Sequence, residues 1–388
     1  MSFFIESGYV SLNKYGEELC GDRVETIYYD GTLTLVLADG MGSGVKANIL
    51  STLTSKIIGT MMANGMSIED CVTTIVQTLP VCAVRQIAYS TFTILQIKHS
   101  GEAYMVQFDN PLCVMMRDGK PYDYPVEVNI IEGKEIYETR MQVQLDDSFV
   151  MFSDGVPHAG IGITMSLGWQ QENVQKFLAE NYSKNDSATT TAAKLADAAR
   201  ALYMDKMGDD TTVAVMRVRN RSVVSIMLGP PSDPKDDIPI IQKFLAQEGK
   251  KIVSGGTTSK IVSKYLKADV TTCIDYIDPK IPPAGIMKGV DLVTEGVLTL
   301  GRVMEMSQQI VKESNTDTDW LKGKDAASQV ARLLFEEATD VNFYVGRAMN
   351  PAHQNPNLPL DLSIKLKIVE ILAQNLETMG KRVNVEYH

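Results

Sequence analysis

The sequence has little of what most enzymes use for acid–base or metal chemistry. It holds four histidines in 388 residues, none in an H-x-x-x-H pair, so a zinc site of the helical histidine type is excluded. The five cysteines, Cys20, Cys71, Cys82, Cys113 and Cys273, are odd in number, scattered and without a C-x-x-C pair. That argues against a disulfide framework and a zinc ribbon, and reduced structural thiols are expected. No apolar run approaches the roughly 18 residues of a membrane span. The opening "MSFFIESGYVSLNKYGEE" carries acids early and no basic stretch ahead of an apolar one, so it does not read as a signal peptide. A cytoplasmic protein without a membrane partner is expected. Clustered Lys and Arg are also missing, and the formal net charge is −11, which disfavours nucleic acid as a partner. With 44% hydrophobic and 22% charged residues and no low-complexity tract, the composition is that of an ordinary globular chain, long enough for two domains.

What the chain does have is "TLTLVLADGMGSGVKAN", Thr32 to Asn48, where an apolar β-branched run ends in Asp39 and the spaced glycines Gly40, Gly42 and Gly44. A plain strand-to-helix turn explains one or two of these glycines. A dinucleotide loop needs a glycine where Val45 stands, and no G-K-[ST] follows for a P-loop. A metal site remains, in which Asp39 gives a carboxylate and small residues let backbone carbonyls approach a cation.

Residues 32–38 read as a buried strand. From Val45 the period changes, with Val45, Ile49, Leu53, Ile57 and Met61 recurring every four residues on one helix face. Gly65 is the expected end of that helix, and Ser67 opens a second, capped helix that runs toward Pro80. Short runs with tight turns follow at 90–97, 103–108 and 112–118, and "EIYETRMQVQL" and "SFVMFSDG" extend them as an antiparallel meander. Two helices around "WQQENVQKFLAENY" and "SATTTAAKLADAARALYMDKM" precede a strand in "DDTTVAVMRVR". Helix pairs interleaved with antiparallel strands give an α+β layered fold for residues 1–220. Beyond the punctuation of "RVRNRS" (217–222) and "LGPPSDPKDD" (228–237), helix and strand alternate. The expected elements there are a helix at "IPIIQKFLAQEG", a strand at "KKIVSGG", a helix at "TTSKIVSKYL", a strand at "VTTCIDYI", and helices around 297–313 and 325–338. That rhythm predicts an α/β domain over 221–388.

Three further stretches place acids in the setting of Asp39. Asp22 lies in "CGDRVETIYYDG", Asp154 ends a strand in "SFVMFSDGV", and Asp209 with Asp210 begins one in "MGDDTTVAVMRV". Each alone suits a turn. Together, at strand ends on one sheet edge, they would repel unless cations joined them. Two Mg²⁺ or Mn²⁺ ions about 3.5–4 Å apart fit such a set, activate a bridging water and neutralise a phosphoryl group under in-line attack. His158, four residues past Asp154, could donate a proton or be a surface loop residue.

"GEELCGDRV", "LADGMGSGVKA", "YSTFTILQI", "FSDGV" and "GDDTTVAVMRV", in this order, resemble the stage II sporulation protein E-like branch of the PPM-type metal-dependent serine/threonine phosphatases, over about residues 1–220. The resemblance implies a four-layer α-β-β-α sandwich of antiparallel sheets and hydrolysis of phosphoserine or phosphothreonine at a centre of two Mn²⁺ or Mg²⁺ ions. It implies that Asp22 and Asp39 bind or bridge the pair, that Gly40 lends its carbonyl, and that Asp154 and Asp209 hold the second cation with Asp210 beside it. Met41 stands where eukaryotic relatives carry a histidine. "QFDNP" before Pro111 departs from the Gly-His or Gly-Ser of many relatives, and no phosphate-holding arginine is identifiable, since strand alternation turns Arg23 away from Asp22. The substrate implied is a phosphorylated signalling protein such as an anti-sigma-factor antagonist. Rival readings are a non-catalytic phosphoprotein-binding module and a metal-dependent phosphatase of a small metabolite.

In the second half, Thr257 and Thr258 open a helix after Gly255 and Gly256. They could hold an anion or simply cap the helix. "GVDLVTEGVLTLGRV" repeats the arrangement with Asp291, Glu295 and Gly296. Loops at one edge of a parallel sheet would frame a small-ligand pocket with a regulatory role. An architectural or homodimer-forming role explains the same residues, and "NPAHQNPNLPLD" (350–361) reads as an irregular connector.

Overall fold

The computed structural model describes residues 3–78, 90–272, 281–312, 323–348 and 360–388. Cys82, Cys273, the end of the second helix at Pro80, most of the strand expected at "VTTCIDYI" and most of the 350–361 connector lie outside these residues. The described cysteines Cys20, Cys71 and Cys113 are free thiols. Among the described residues no helix is long and apolar enough to cross a membrane.

The chain divides into two compact units, Met1–Asn220 and Arg221–His388. The first runs β1 (Phe4–Leu12), β2 (Asp22–Tyr29), β3 (Thr32–Asp39), α1 (Gly44–Ala63), α2 (Ile68–Thr78), β4 (Thr91–Lys98), β5 (Glu102–Phe108), β6 (Val114–Arg117) and β7 (Lys120–Pro121). It continues with β8 (Glu127–Ile131), β9 (Lys134–Gln142), β10 (Ser148–Phe152), α3 (Gln171–Asn181), α4 (Ala188–Leu202) and β11 (Thr211–Arg219). The strands form two antiparallel sheets, β1-β11-β10-β6-β7 and β2-β3-β4-β5-β9-β8.

Strand alternation assigns the faces. On β3, Leu33, Leu35 and Leu37 join Met115, Phe149, Met151 and Met216 of the other sheet in one buried cluster. Val36 and Ala38, pointing the other way, pack with Ile58, Met62 and Ile75 of the first helix pair. Val10, Val150 and Val215 pack outward against Val174 and Leu178 of α3 and the alanine-rich face of α4. β3 reads as a continuous apolar run because both its faces are covered. Ser67 accepts the backbone N–H of Asp70 at 3.1 Å and so starts α2 as its sequence predicts.

One expectation is corrected. The stripe expected to anchor α1 is largely open: Val45, Ile49 and Leu53 are exposed, and Ile57 and Met61 only half-buried. The buried face is Ala47, Ser51, Thr54, Ser55, Ile58, Gly59 and Met62. Small residues win there because the helix lies close to β2 and β3; a Cβ on Gly59 would fall 2.9 Å from the Ile27 side chain. The buried hydroxyls of Ser51 and Ser55 are satisfied by the carbonyls of Asn48 and Thr52, at 3.1 and 3.2 Å, so they cost little inside. Ile49→Ser is therefore expected to change stability by less than about 0.5 kcal/mol and Ile58→Ala to cost about 2–5 kcal/mol in denaturant unfolding.

The second unit comprises β12 (Val223–Leu228), α5 (Asp237–Leu245), β13 (Lys250–Ser254), α6 (Gly256–Leu266), β14 (Thr271–Thr272), β15 (Gly285–Met287) and β16 (Val290–Thr294). It ends with α7 (Val297–Lys312), α8 (Ala326–Ala331, continued by a π-helical stretch Arg332–Glu337), β17 (Asp340–Val345), α9 (Leu360–Thr378) and β18 (Arg382–Tyr387). Its mixed sheet has the order β14-β15-β16-β13-β12-β17-β18, the last five parallel. One apolar cluster joins Ile252 and Phe343 to α7 and α9, a second joins Val253 and Met227 to α5 and α6.

The loops after β13 and β16 leave the same edge, and Gly255 N–H donates to the Thr294 carbonyl at 2.9 Å. Their side chains make hydrogen bonds within the fold. Gly255, at φ 107°, starts α6 without a side-chain cap, and Thr258 accepts the Gly229 N–H at 2.9 Å. Asp291 sits at the opposite, amino end of the strands and accepts the Lys251 N–H at 2.8 Å. Glu295 caps α7 by accepting the Leu298 N–H at 3.0 Å.

Candidate metal centre

Two sheets contribute acids to one place. In the β2–β3 hairpin the antiparallel register sets Asp22 directly opposite Asp39, close enough for side chains to interact. From the other sheet, Ser153 at the end of β10 donates its hydroxyl to Asp22 Oδ2 at 2.7 Å and accepts the Thr212 N–H at 2.9 Å. That chain of bonds ties the start of β2 to the end of β10 and the start of β11. Asp154 follows Ser153, and Asp209 and Asp210 precede β11, so they arrive at the same corner. Ser153 and Thr212 are not among the expected site residues; their signal is their place beside the acids in "FSDG" and "DDTT".

Two glycines show how tightly the corner is built. A Cβ on Gly21 would fall 2.7 Å from Asp210 Oδ2 and 2.9 Å from the Ala47 side chain. A Cβ on Gly40 would fall 2.0 Å from the Ala47 carbonyl oxygen, so only glycine lets α1 start this close to β3. Arg23 is exposed between the buried Asp22 and Val24, turned away as strand alternation requires.

The acids raise one another's pKa. Burial pushes Asp22 above the usual carboxylate range, and the charges of Asp210 and Asp154 add to that against the hydrogen bonds from Ser153 and Thr212. Asp39 is raised by burial first and then by Asp22, Asp154 and Asp209. Asp154 is raised by burial and Asp209, with His158 and Lys14 opposing. Asp210 is raised by burial against the N–H bonds of Lys14 and Gly21. His158 Nδ1 lies 3.6 Å from Asp154 Oδ2, both half-exposed at the rim.

Among the described residues no three His, Cys, Asp or Glu side chains are disposed to close around one ion. The donor set nevertheless suits hard cations. Asp22 Oδ1 and Asp210 Oδ2 are buried oxygens without a hydrogen-bond partner, and such acceptors are costly unless something positive meets them. Oxygen-only donors in surplus negative charge match Mg²⁺ or Mn²⁺.

Residues 29–219, just under half of the chain, match the family model described as stage II sporulation protein E (SpoIIE). The N-terminal unit thus carries a domain that matches the SpoIIE family model. Asp39, Asp154, Asp209 and Asp210 fall inside the matched residues of this SpoIIE-type domain, while Asp22 precedes them. Among solved structures, the phosphatase domain with a regulatory fragment of SpoIIE from Bacillus subtilis is 19% identical over 56% of this chain and 63% of that one, with a TM-score of 0.47. The chain thus spans less than two thirds of that relative. The RsbU and RsbW domains of a Mycobacterium tuberculosis protein are 14% identical over 63% of this chain and 67% of that one, with a TM-score of 0.45. RsbX in complex with magnesium is 19% identical over 55% of this chain and 95% of that one, with a TM-score of 0.40. No curated protein matches the chain.

Proposed function

We propose that the SpoIIE-type domain is an active, divalent-cation-dependent protein phosphatase that hydrolyses phosphoserine or phosphothreonine on a signalling protein. The observation that carries this reading is the meeting of Asp22, Asp39, Asp154, Asp209 and Asp210 at one corner, with orphaned oxygens on Asp22 and Asp210. Asp22 and Asp39, the Gly40 carbonyl, Asp154, Asp209 and Asp210 would hold two Mn²⁺ or Mg²⁺ ions. Such a pair supplies an activated water and offsets the charge of a phosphoryl group under in-line attack. Ser153 keeps Asp22 turned inward through its 2.7 Å bond. The Lys14 N–H holds Asp210 through Oδ1 at 3.0 Å, and the hairpin register holds Asp39 across from Asp22. His158, within 3.6 Å of Asp154, is the one imidazole placed at this rim among the described residues.

The sequence resemblance points to the kind of substrate: a phosphorylated small partner such as an anti-sigma-factor antagonist. Residues 221–388 would serve as a regulatory unit, with a small ligand or a second copy of the chain as its effector. Phosphate release by the full chain in Mn²⁺ is the test. Release from a phosphoserine or phosphothreonine peptide and none from a panel of phosphorylated metabolites supports the reading. Release from metabolites alone favours a small-molecule phosphatase, and peptide binding without release a non-catalytic module.

A further inference from the structure

A phosphoserine brings more negative charge to a corner that already holds five acids, so protein cations at its rim decide how well the phosphoryl oxygens are met. Among the described residues, two basic side chains pair with these acids: His158, and Lys14, whose Nζ lies 3.6 Å from Asp209 Oδ1. Lys14 follows β1 and precedes the residues matched by the family model. As a lone lysine in "LNKYGEE" it gives no signal in the sequence.

Its backbone is fixed at the site independently of its side chain. The Lys14 N–H donates to Asp210 Oδ1 at 3.0 Å, and its carbonyl accepts the Glu17 N–H at 3.0 Å. The next residue, Tyr15, donates its N–H to the Met207 carbonyl at 2.9 Å. The ammonium therefore rises on a flexible stem from a rigid root. Its contact with Asp209 is loose: 3.6 Å is too long for a good hydrogen bond, and the two side chains are 37% and 39% exposed. An exposed pair of this kind is weak and easily exchanged. The ammonium also lies near enough to Asp154 to oppose its upward shift.

We propose that Lys14 is the side chain that receives the phosphoryl group: its ammonium rests on Asp209 in the metal-free protein and passes to the phosphate oxygens once a divalent cation takes that carboxylate. The inference rests on the phosphatase reading above. An ammonium can fill this place as a point charge where no arginine fork is available.

The test compares the full-length wild type, Lys14→Met and Lys14→Arg, each in Mn²⁺, by calorimetric binding of inorganic phosphate, by KM for a phosphoserine peptide, and by Mn²⁺ titration without phosphate. Lys14→Met is expected to weaken phosphate binding and raise KM by roughly 10- to 100-fold, the loss of one charge-assisted contact. Lys14→Arg is expected to recover most of both. Mn²⁺ should bind Lys14→Met as tightly as wild type or tighter, because a competing charge has left Asp209. Unchanged phosphate affinity and KM in Lys14→Met would overturn the assignment, and so would weakened Mn²⁺ binding, which would show Lys14 to be only a prop for the carboxylates. A wild type that neither binds phosphate nor turns over peptide in Mn²⁺ sinks the phosphatase reading itself, a result visible before any variant is compared.

Discussion

Asp39→Asn is expected to lower Mn²⁺-dependent phosphate release by more than about 100-fold while the chain stays folded. Loss of an outer partner of a metal ligand already costs about 10–100-fold in affinity or activity, and the proposed function makes Asp39, opposite Asp22 in the hairpin register, a direct ligand. Asparagine keeps the shape of the side chain and one acceptor oxygen but removes the charge. In the metal-free protein that charge is a burden, since burial and the charges of Asp22, Asp154 and Asp209 all push the Asp39 pKa upward. The variant should therefore melt in EDTA at the wild-type temperature or above it. Lost turnover with unchanged or raised melting temperature separates a ligand from a structural acid. Turnover within a few-fold of wild type would remove Asp39 from the centre.

The second large effect is on stability. Saturating Mn²⁺ should raise the melting temperature of the N-terminal unit, and the gain should grow with pH. Asp22, Asp39, Asp154 and Asp210 all have folded pKa values above the ordinary carboxylate value. Between about pH 4, where an unfolded aspartate titrates, and those raised values the folded state binds more protons than the unfolded state. Metal-free stability from these groups is then complete in acid and is lost as pH rises. Bound cations reverse the sign, because ligands must be deprotonated to hold them. At 100 times the dissociation constant one ion adds about 2.7 kcal/mol, roughly 5–10 °C for a unit of this size. The difference between scans in Mn²⁺ and in EDTA should thus be near zero at about pH 4 and of that order near pH 7. A difference that is flat in pH, or absent, would contradict the carboxylate cluster as the binding site.

Much of the N-terminal unit was legible because its strands are short, alternating and separated by tight turns; Ser67 and Gly65 mark helix ends by chemistry that depends on neighbours alone. The face of α1 was not legible. Periodicity counts apolar residues, and the sheet instead took Ala47, Ser51, Ser55 and Gly59, because distance of approach rather than hydrophobicity sets that contact. In the C-terminal unit no expected element covers Val223–Leu228, Asp340–Val345, Leu360–Thr378 or Arg382–Tyr387. The central β12 gains its meaning from parallel neighbours more than 20 residues away on one side and more than 100 on the other, which a local pattern does not carry.

At the centre, the acids were visible as repeated strand-end aspartates, yet their convergence depends on Ser153 and Thr212 joining two sheets. Lys14 was silent because an isolated lysine is ordinary anywhere on a surface.

Anomalous diffraction from crystals of the full chain grown in Mn²⁺ tests the central claim most directly. Two manganese peaks within bonding reach of Asp22, Asp39, Asp154 and Asp209 are predicted, about 3.5–4 Å apart as in two-metal hydrolytic sites. Peaks elsewhere on the molecule, or none at this corner at saturating Mn²⁺, would contradict it.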